Sequence, residues 1–229
     1  MISVVIPTLN AEDRLAETLS ALVTATVEGV VREVIIVDGG SQDRTLEIAD
    51  QSGAKTIRSA RGRGRQLKAG GDEARFEWLL FLHADTVLEA GWEREVVAFI
   101  EKVMTGERPD AAAAFRFVLD DTGVRPRLIE TGVNARCSVF RLPYGDQGLL
   151  ISRRLYREIG GFSDLPLMED VDVVRRLGRR RVAMLRSAAV TSAVRYRRNG
   201  YTKRTVRNLA CLALYFMRVP VSTIVRLYG

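Results

Sequence analysis

Acidic side chains stand where short apolar runs of this 229-residue chain end. Asp38 closes the run at residues 33–38, and Asp85 follows the run at 77–83. A carboxylate at a strand end can accept hydrogen bonds from a ribose or a base edge. Asp85 also offers the hard oxygen that Mg2+ or Mn2+ prefers beside a diphosphate. Taken singly, each acid is more simply explained by a turn or a helix cap.

A second acidic group, Glu169 and Asp170 in the sequence LMEDVD, precedes a sharp break in charge. Asp172 is the last acidic residue, and fourteen Lys and Arg residues follow it without a carboxylate. The residues before the break carry a net negative charge, so the tail supplies all of the formal net charge of +7. Carboxylates suit general base chemistry, whereas cations suit an anionic leaving group, an anionic acceptor or an anionic membrane surface.

Strands and helices alternate through the first half. We predict strands at residues 2–7, 33–38, 54–57 and 77–83, and helices at 12–23, at 44–51 and after the Arg/Gly sequence at 61–65. Asn10 is available as the N-cap of the first helix. Because such crossovers are right-handed, the pattern predicts an open, mostly parallel sheet with helices on both faces. Ligands bind at the carboxyl ends of such strands, so the polar residues that follow them are expected to converge.

The second half is less regular. Its predicted elements are helices at 92–104, 127–139 and 170–178 and strands at 111–119 and 144–152. We predict one α/β domain with a ligand-binding half (1–86), a catalytic half (87–200) and basic amphipathic helices at the C-terminus (201–229).

Composition narrows the class of protein. Hydrophobic residues make up 47% of the chain, as in ordinary globular proteins. Cys137 and Cys211 lie in no ligand-like spacing, so neither a disulfide framework nor a zinc site is expected. The most apolar run, residues 209–217, is far shorter than the roughly 20 residues of a membrane span. With no leader expected after Met1, we predict a cytoplasmic protein whose basic tail could contact the inner membrane surface.

Several motifs in order resemble glycosyltransferase family 2. They are VVIPTLNAE, VIIVDGGSQDRT, LLFLHADT, GDQGLLISRRLYREIGGF and LMEDVDVVRRL, which together cover about residues 2–180. The resemblance implies the GT-A fold, a Rossmann-like α/β domain. It also implies inverting transfer of a sugar from a nucleotide-diphosphate sugar, UDP- or GDP-linked, to an acceptor hydroxyl or phosphate. The HADT form is similar to a bacterial subgroup named for arsenosugar biosynthesis, which leaves the acceptor unknown.

The resemblance assigns roles to individual residues. Asp170 would be the general base that deprotonates the acceptor, and Glu169 would shape its site. Asp85 would bind the divalent metal, Mn2+ or Mg2+. The residues expected in the donor pocket are Pro7, Thr8, Asn10, Glu12, Asp38, Gly39, Arg65, His83, Ala84 and Asp85. Of these, Gly39 is expected to let a ligand approach the backbone.

Arg65 is expected in the donor site because of its surroundings rather than the family pattern. Arg61, Arg63 and Arg65 follow the third predicted strand, and guanidinium groups bind phosphates in a bidentate manner. The glycines between them permit close approach. We therefore expect at least one of the three to clamp the donor phosphates.

His83 departs from the family, which usually has Asp at that position. The imidazole could bond a ribose or a phosphate, or bind metal, which would favour Mn2+ over Mg2+. As the only histidine in the chain, His83 also invites a catalytic role. Its position on the donor side argues against its being the base.

Other classes of protein fit less well. A dehydrogenase would carry G-x-G-x-x-G after the first strand, and a nucleotidyltransferase usually has a Gly-rich phosphate loop there. VVIPTLNAE has neither. Aromatic residues are sparse in the basic stretch, so no nucleic-acid partner is expected. A catalytically weak or inert sugar-nucleotide-binding protein remains an alternative because of His83.

Overall fold

The structure, a computed structural model, describes residues 1–228, and within them eight strands form a single mixed sheet. The strands are β1 (Ile2–Thr8), β2 (Val31–Asp38), β3 (Lys55–Arg58), β4 (Trp78–Phe81), β5 (Thr86–Leu88), β6 (Ala112–Asp120), β7 (Leu149–Ser152) and β8 (Val182–Ser192). Their order in the sheet is β3-β2-β1-β4-β7-β6-β8-β5. The first four in this order, and the β6–β8 pair, run parallel. The other three pairs are antiparallel.

Helices connect the strands and cover the sheet. They are α1 (Glu12–Ser20), α2 (Val23–Val27), α3 (Thr45–Gln51), α4 (Arg63–Glu73), α5 (Trp92–Met104), α6 (Val124–Phe140), α7 (Arg153–Glu158), α8 (Glu169–Leu177), α9 (Val194–Asn199), α10 (Tyr201–Phe216) and α11 (Val221–Tyr228). Short 3-10 turns occupy Gly145–Gln147 and Arg179–Arg181.

The alternation of side chains along β1 explains why both faces of the sheet are covered. Val4 and Ile6 point to a core shared with Leu15 of α1 and Trp92 of α5. Val5 points to the opposite core, which it shares with α4, α7 and α8. A strand buried on both faces reads as a continuous apolar run, which is the pattern that predicted β1 and β2.

Gly70 lets α4 lie unusually close to the parallel strands. A Cβ built on Gly70 would come within 2.3 Å of Val5 Cγ1 and 2.8 Å of Val37 Cγ2. A glycine weakens a helix interior by about 1 kcal/mol relative to alanine. Here the missing side chain allows the helix to pack directly on β1 and β2.

The structure corrects several sequence-based boundaries. The strand predicted at 144–152 is a 3-10 turn followed by β7, and the Arg/Gly sequence at 61–65 runs into the first turn of α4. Asn10 does not cap α1, because Ala11 holds that position and Asn10 accepts a hydrogen bond from the backbone of Gln42 at 2.9 Å. β5 and the long strand β8 were not predicted. The sheet is therefore parallel in its first half and mixed as a whole.

The basic C-terminal segment forms α10 and α11, which pack against the body of the protein. Cys211 of α10 and Ile224 of α11 are buried against Leu167, Met168 and Val171. Gly229, the last residue of the predicted segment, lies outside the described residues. In residues 1–228, no helix combines the length and the apolar character that a membrane span requires.

Candidate active site

The carboxyl ends of β1 and β4 line an open pocket of about 520 Å3, here called the edge pocket. On the strand side it is lined by Pro7, Thr8, Asn10, His83, Ala84 and Asp85. These six residues are among the ten predicted to bind a donor, and the fold brings them together because parallel strands end at the same edge. The cations Arg61, Arg63 and Arg195 stand among the other lining residues.

Asp38 lies behind the edge pocket rather than on its surface. Only 1% of the residue is exposed, and its carboxylate accepts hydrogen bonds from the backbone of Gly40 and Ser41, both at 2.9 Å. The hydroxyl groups of Thr8 and Ser41 donate to it as well. Burial opposes its ionisation, but these donors outweigh burial and lower the pKa of Asp38. The sequence correctly located the residue at the strand end, but its carboxylate organises the loop.

Three other predicted donor residues also lie away from the pocket lining. Glu12 accepts a hydrogen bond from the backbone N–H of Arg44 at 2.9 Å and faces α3. Arg65 forms an exposed ion pair with Asp164, 2.8 Å between Nη2 and Oδ2, on the outer side of α4. Gly39 packs on the buried amide of Gln66. The cation that α4 directs toward the site is instead Arg63.

His83 forms a pair with Asp146, which the sequence did not indicate as a site residue. The distance from Nδ1 of His83 to Oδ1 of Asp146 is 3.3 Å, and Asp146 is half-exposed in the pocket. Burial raises the pKa of Asp146, but the hydrogen bond and charge of His83, with the charges of Arg63 and Arg195, lower it to about 2. The carboxylate is therefore ionised at neutral pH, and His83 already has an acidic partner.

α8 presents the acidic pair at its first turn. Met168 precedes it with a φ of +66°, a left-handed conformation that is uncommon for a residue other than glycine. Glu169 is fully buried and forms an ion pair with Arg63. Burial raises the pKa of Glu169, and the charge of Arg63 opposes that rise. Glu169 thus fixes Arg63 at the pocket wall.

Asp170 turns the other way and lies in the wall of a second cavity rather than of the edge pocket. Its Oδ2 accepts a hydrogen bond from the backbone N–H of Gly145 at 2.7 Å, and its Oδ1 accepts one from Val171 at 2.7 Å. Gly145 must lack a side chain, since a Cβ there would lie 2.6 Å from Nε2 of His83 and 3.2 Å from Oδ2 of Asp170. The 3-10 turn thereby brings His83 and Asp170 to neighbouring positions.

A second, smaller cavity of about 180 Å3 adjoins the edge pocket and is here called the helix pocket. Its apolar lining includes Phe117 of β6, Ile129 and Val133 of α6, and Leu209 and Leu212 of α10. Asp170 lies in its wall. Five residues line both cavities, namely Arg63, Asp146, Leu167, Arg195 and Tyr228.

The donor atoms present fit only one way of holding a divalent cation. Among residues 1–228, no three His, Cys, Asp or Glu side chains come close enough together to hold a metal ion by themselves. Mg2+ beside a diphosphate is usually held by one or two carboxylates together with the phosphate oxygens. Asp85, which lines the edge pocket, suits that mode.

Comparisons with known proteins agree with the motifs and the fold. The sequence profile described as "Glycosyl transferase family 2" matches residues 3–183. The chain is 32% identical over 146 residues to glycosyltransferase AglD of Haloferax volcanii, covering 59% of this chain and 22% of that protein. It is 38% identical over 108 residues to a PGL/p-HBAD biosynthesis glycosyltransferase of Mycobacterium bovis, covering 44% and 41%. The chain thus spans less than half the length of these curated relatives.

A solved structure shows the same fold. The glucosyl-3-phosphoglycerate synthase of Mycobacterium tuberculosis, in complex with Mn2+ and UDP-glucose, superposes with a TM-score of 0.62. The match covers 96% of this chain and 80% of that one at 20% sequence identity. At that identity the likeness speaks for the fold alone. The predicted α/β architecture is confirmed.

Proposed function

The chain belongs to glycosyl transferase family 2, and on that basis we propose that it transfers a sugar from a nucleotide-diphosphate sugar to an acceptor. One observation carries the proposal: a pocket at the carboxyl edge of the sheet, with cations on its wall, adjoins a second cavity whose wall contains a carboxylate that the backbone holds in place. The 1–86 half would bind the donor, and the residues that follow would supply the base and the acceptor site.

The edge pocket has the charges that a diphosphate requires. Arg61, Arg63 and Arg195 would offset the negative charge that develops on the leaving group. Asp85 would hold Mn2+ or Mg2+ together with the phosphate oxygens. When bound, that ion would further stabilise the diphosphate as it leaves. A UDP-linked donor is the first choice, because the mycobacterial structure of the same fold was solved with UDP-glucose.

Asp170 would take the proton of the acceptor as its oxygen attacks the anomeric carbon. Backbone N–H groups hold the carboxylate at 2.7 Å on each oxygen, so its orientation is fixed before substrate arrives. A single displacement with one base on the face opposite the leaving group inverts the anomeric centre. His83 is paired with Asp146 on the donor side, so it is left to position Asp146 or a phosphate.

Replacing the proposed base tests the assignment. Asp170→Asn should lower the rate of UDP release from UDP-glucose in the presence of acceptor by roughly 10²–10⁴-fold. The dissociation constant for UDP, measured by calorimetry with Mn2+, should stay the same. Asp164→Asn, at an exposed ion pair beside α4, is the control and should keep full activity.

Normal turnover by Asp170→Asn would show that Asp170 is not the general base. If wild-type protein binds UDP-glucose but releases no UDP with any acceptor, the chain is instead a sugar-nucleotide-binding protein without transfer activity.

The C-terminal helices would also contact an anionic membrane surface. Apolar side chains of α10, of α11 and of the turn between them are exposed, among them Val206, Leu209, Phe216, Met217 and Leu227. Lys203, Arg218 and Arg226 are exposed on the same segment. Apolar and cationic side chains together on surface helices are the combination that binds anionic lipid.

A further inference from the structure

We infer that the helix pocket binds the acceptor, and that this acceptor is a hydroxylated anion with an apolar body about the size of one ring. That this ligand is the acceptor depends on the proposed function, whereas its chemistry is inferred from the pocket itself.

The position of the helix pocket suits an acceptor. Asp170 lies in its wall, and the pocket shares Arg63, Asp146, Arg195 and Tyr228 with the edge pocket. A molecule in the helix pocket would therefore lie next to a donor in the edge pocket, with the proposed base beside it.

The apolar walls and the volume limit the size of the ligand body. Phe117, Ile129, Val133 and Leu212 provide apolar surface from three different elements. The cavity of about 180 Å3 is close to the roughly 150 Å3 of an engineered cavity that binds benzene. One ring, or a short branched chain, fills such a space. A long lipid chain would have to extend out of the pocket.

Unpartnered polar atoms show that the pocket is built for more than an apolar group. In the described part of the chain, eight buried side-chain polar atoms lack a hydrogen-bond partner. Four of them belong to residues of the helix pocket, namely Tyr144 Oη, Arg204 Nε, Thr205 Oγ1 and Asn208 Oδ1. Because buried polar groups nearly always have partners, a ligand is expected to supply them here. Asn208 Oδ1 accepts only, so it calls for a hydroxyl or another donor.

The charges of the pocket call for an anion. Arg136, Arg195 and Arg204 line it in addition to Arg63, which Glu169 already pairs. Arg204 is only 8% exposed and lies over the ring of Tyr196 at 5.1 Å, and Arg136 lies over the ring of Tyr144 at 4.1 Å. The acidic lining consists of Asp146 and Asp170, and Asp146 has His83 as its partner. A buried guanidinium beside unpartnered acceptors and donors favours a carboxylate or phosphate with a hydroxyl nearby.

Three small probes separate these features of the ligand. 4-(Hydroxymethyl)benzoate carries a hydroxyl, a ring and an anion, benzyl alcohol lacks the anion, and 3-hydroxypropionate lacks the ring. We expect the first to bind wild-type protein at least about tenfold more tightly than either of the others, measured by ligand-observed NMR titration. A hydrogen bond to a charged group is typically worth that factor or more, and so is the burial of an apolar ring. Equal binding of 4-(hydroxymethyl)benzoate and benzyl alcohol would overturn the anion requirement.

Two pairs of variants on α10 locate the binding. Arg204→Gln should weaken binding of 4-(hydroxymethyl)benzoate about tenfold or more, and Thr205→Val should weaken it by about two- to tenfold. Lys203→Gln and Thr202→Val make the same kinds of change at exposed positions of the same helix and should have no effect. Thr205→Val preserves side-chain shape, so it keeps the test decisive if Arg204→Gln does not fold. Unchanged binding by the folded pocket variants would refute the site.

The outcome for the pocket and the outcome for the proposed function are separable. Binding of UDP-glucose is measured by calorimetry on the same samples without the probe. If UDP-glucose binds and the probe does not, the inference fails while the proposed function stands. If the probe binds as expected and UDP-glucose does not, the proposed function fails and the anion pocket stands.

Discussion

The carboxylate of Asp170 takes its orientation from the backbone. Both of its oxygens accept from main-chain N–H groups, one in the 3-10 turn at 145–147 and one in α8. Backbone donors cannot rotate away as side chains can, so the position of the proposed base depends on the shape of that turn. Gly145 is the residue on which the shape depends most closely.

Gly145→Ala should therefore damage catalysis more than folding. The new Cβ would press on Nε2 of His83 at 2.6 Å and on Oδ2 of Asp170 at 3.2 Å, displacing both. We expect kcat to fall about 10- to 100-fold, because displacements near 1 Å at a reacting group have effects of that size. The dissociation constant for UDP is expected to change little. Wild-type kcat in the variant would show that the close approach is irrelevant to the base.

Asp38→Asn tests the structural role assigned to that carboxylate. The variant should lose about 1–3 kcal/mol of unfolding free energy at pH 7, the usual range for hydrogen bonds to a charged group. Because folding lowers the pKa of Asp38, its stabilising effect is fully present above the unfolded value near 3.9 and is lost as the pH falls from there through the lower pKa of the folded protein. Urea denaturation between pH 7 and pH 3 should show that the difference in unfolding free energy between wild type and variant becomes smaller as the pH falls.

The matched control for this measurement is Asp50→Asn, at an exposed position on α3. It should differ little from wild type at any pH. If the difference in unfolding free energy between wild type and Asp38→Asn stayed constant from pH 7 to pH 3, the ionised carboxylate would not be the form that the loop stabilises.

Residue types and spacing predicted part of the site and missed part of it. The sequence placed Pro7, Thr8 and Asp85 at strand ends, and all three line the edge pocket. Arg65, by contrast, does not line the edge pocket, because the start of α4 could not be read from the Arg/Gly sequence. Two residues apart on a helix, Arg63 and Arg65 face opposite directions, and Arg63 faces the pocket.

At the scale of elements, α4 is fixed to the sheet by the absence of a side chain. Gly70→Ala should destabilise the protein by about 1–3 kcal/mol, the usual cost of overpacking a core. Gly132, inside α6, has no atom near its would-be Cβ. Gly132→Ala should leave stability unchanged or raise it by up to about 1 kcal/mol. Thermal unfolding of the pair checks both, and a stabilised Gly70→Ala would contradict the packing argument.

The strands differ in how well the sequence predicts them. β1 and β2 each contain a continuous apolar run, at residues 4–7 and 34–37. β8 contains Arg186 and several Ala and Ser residues, and it becomes a strand because β6 and β5 flank it on both sides. Strand formation of this kind depends on neighbours in space more than on local propensity. For that reason local propensity alone does not place Arg195, just after β8, at the pocket.

At the scale of the whole molecule, the parts of the chain before and after the break in charge at Asp172 contribute side chains of opposite charge to the same site. The acids of the site, Asp85, Asp146 and Asp170, come from the part before it. The chain after it returns to the same place and contributes Arg195 and Arg204 to the pocket walls. A charge break visible in the sequence therefore becomes a pocket wall in which cations from the tail stand beside acids from the first part of the chain.

The outer surface of the same segment leads to a prediction about membranes. Phe216→Ser combined with Met217→Ser should reduce flotation of the full chain with phosphatidylglycerol vesicles about tenfold or more, because two exposed apolar side chains are removed. Vesicles of phosphatidylcholine alone should bind weakly in every case. Met104→Ser, which removes an exposed apolar side chain from α5, is the control. Equal flotation of the double variant and wild type would show that this surface does not contact the membrane.

The wall shared by the two pockets has a thermodynamic consequence. Arg63, Asp146 and Arg195 face both cavities, so a charged molecule in one cavity alters the electrostatic potential in the other. The two ligands are then coupled in their affinities, and linkage requires each to change the affinity of the other by the same factor. Cooperativity between the two ligands would thus need no moving domain, since a few ångströms of shared side chain are enough to transmit it.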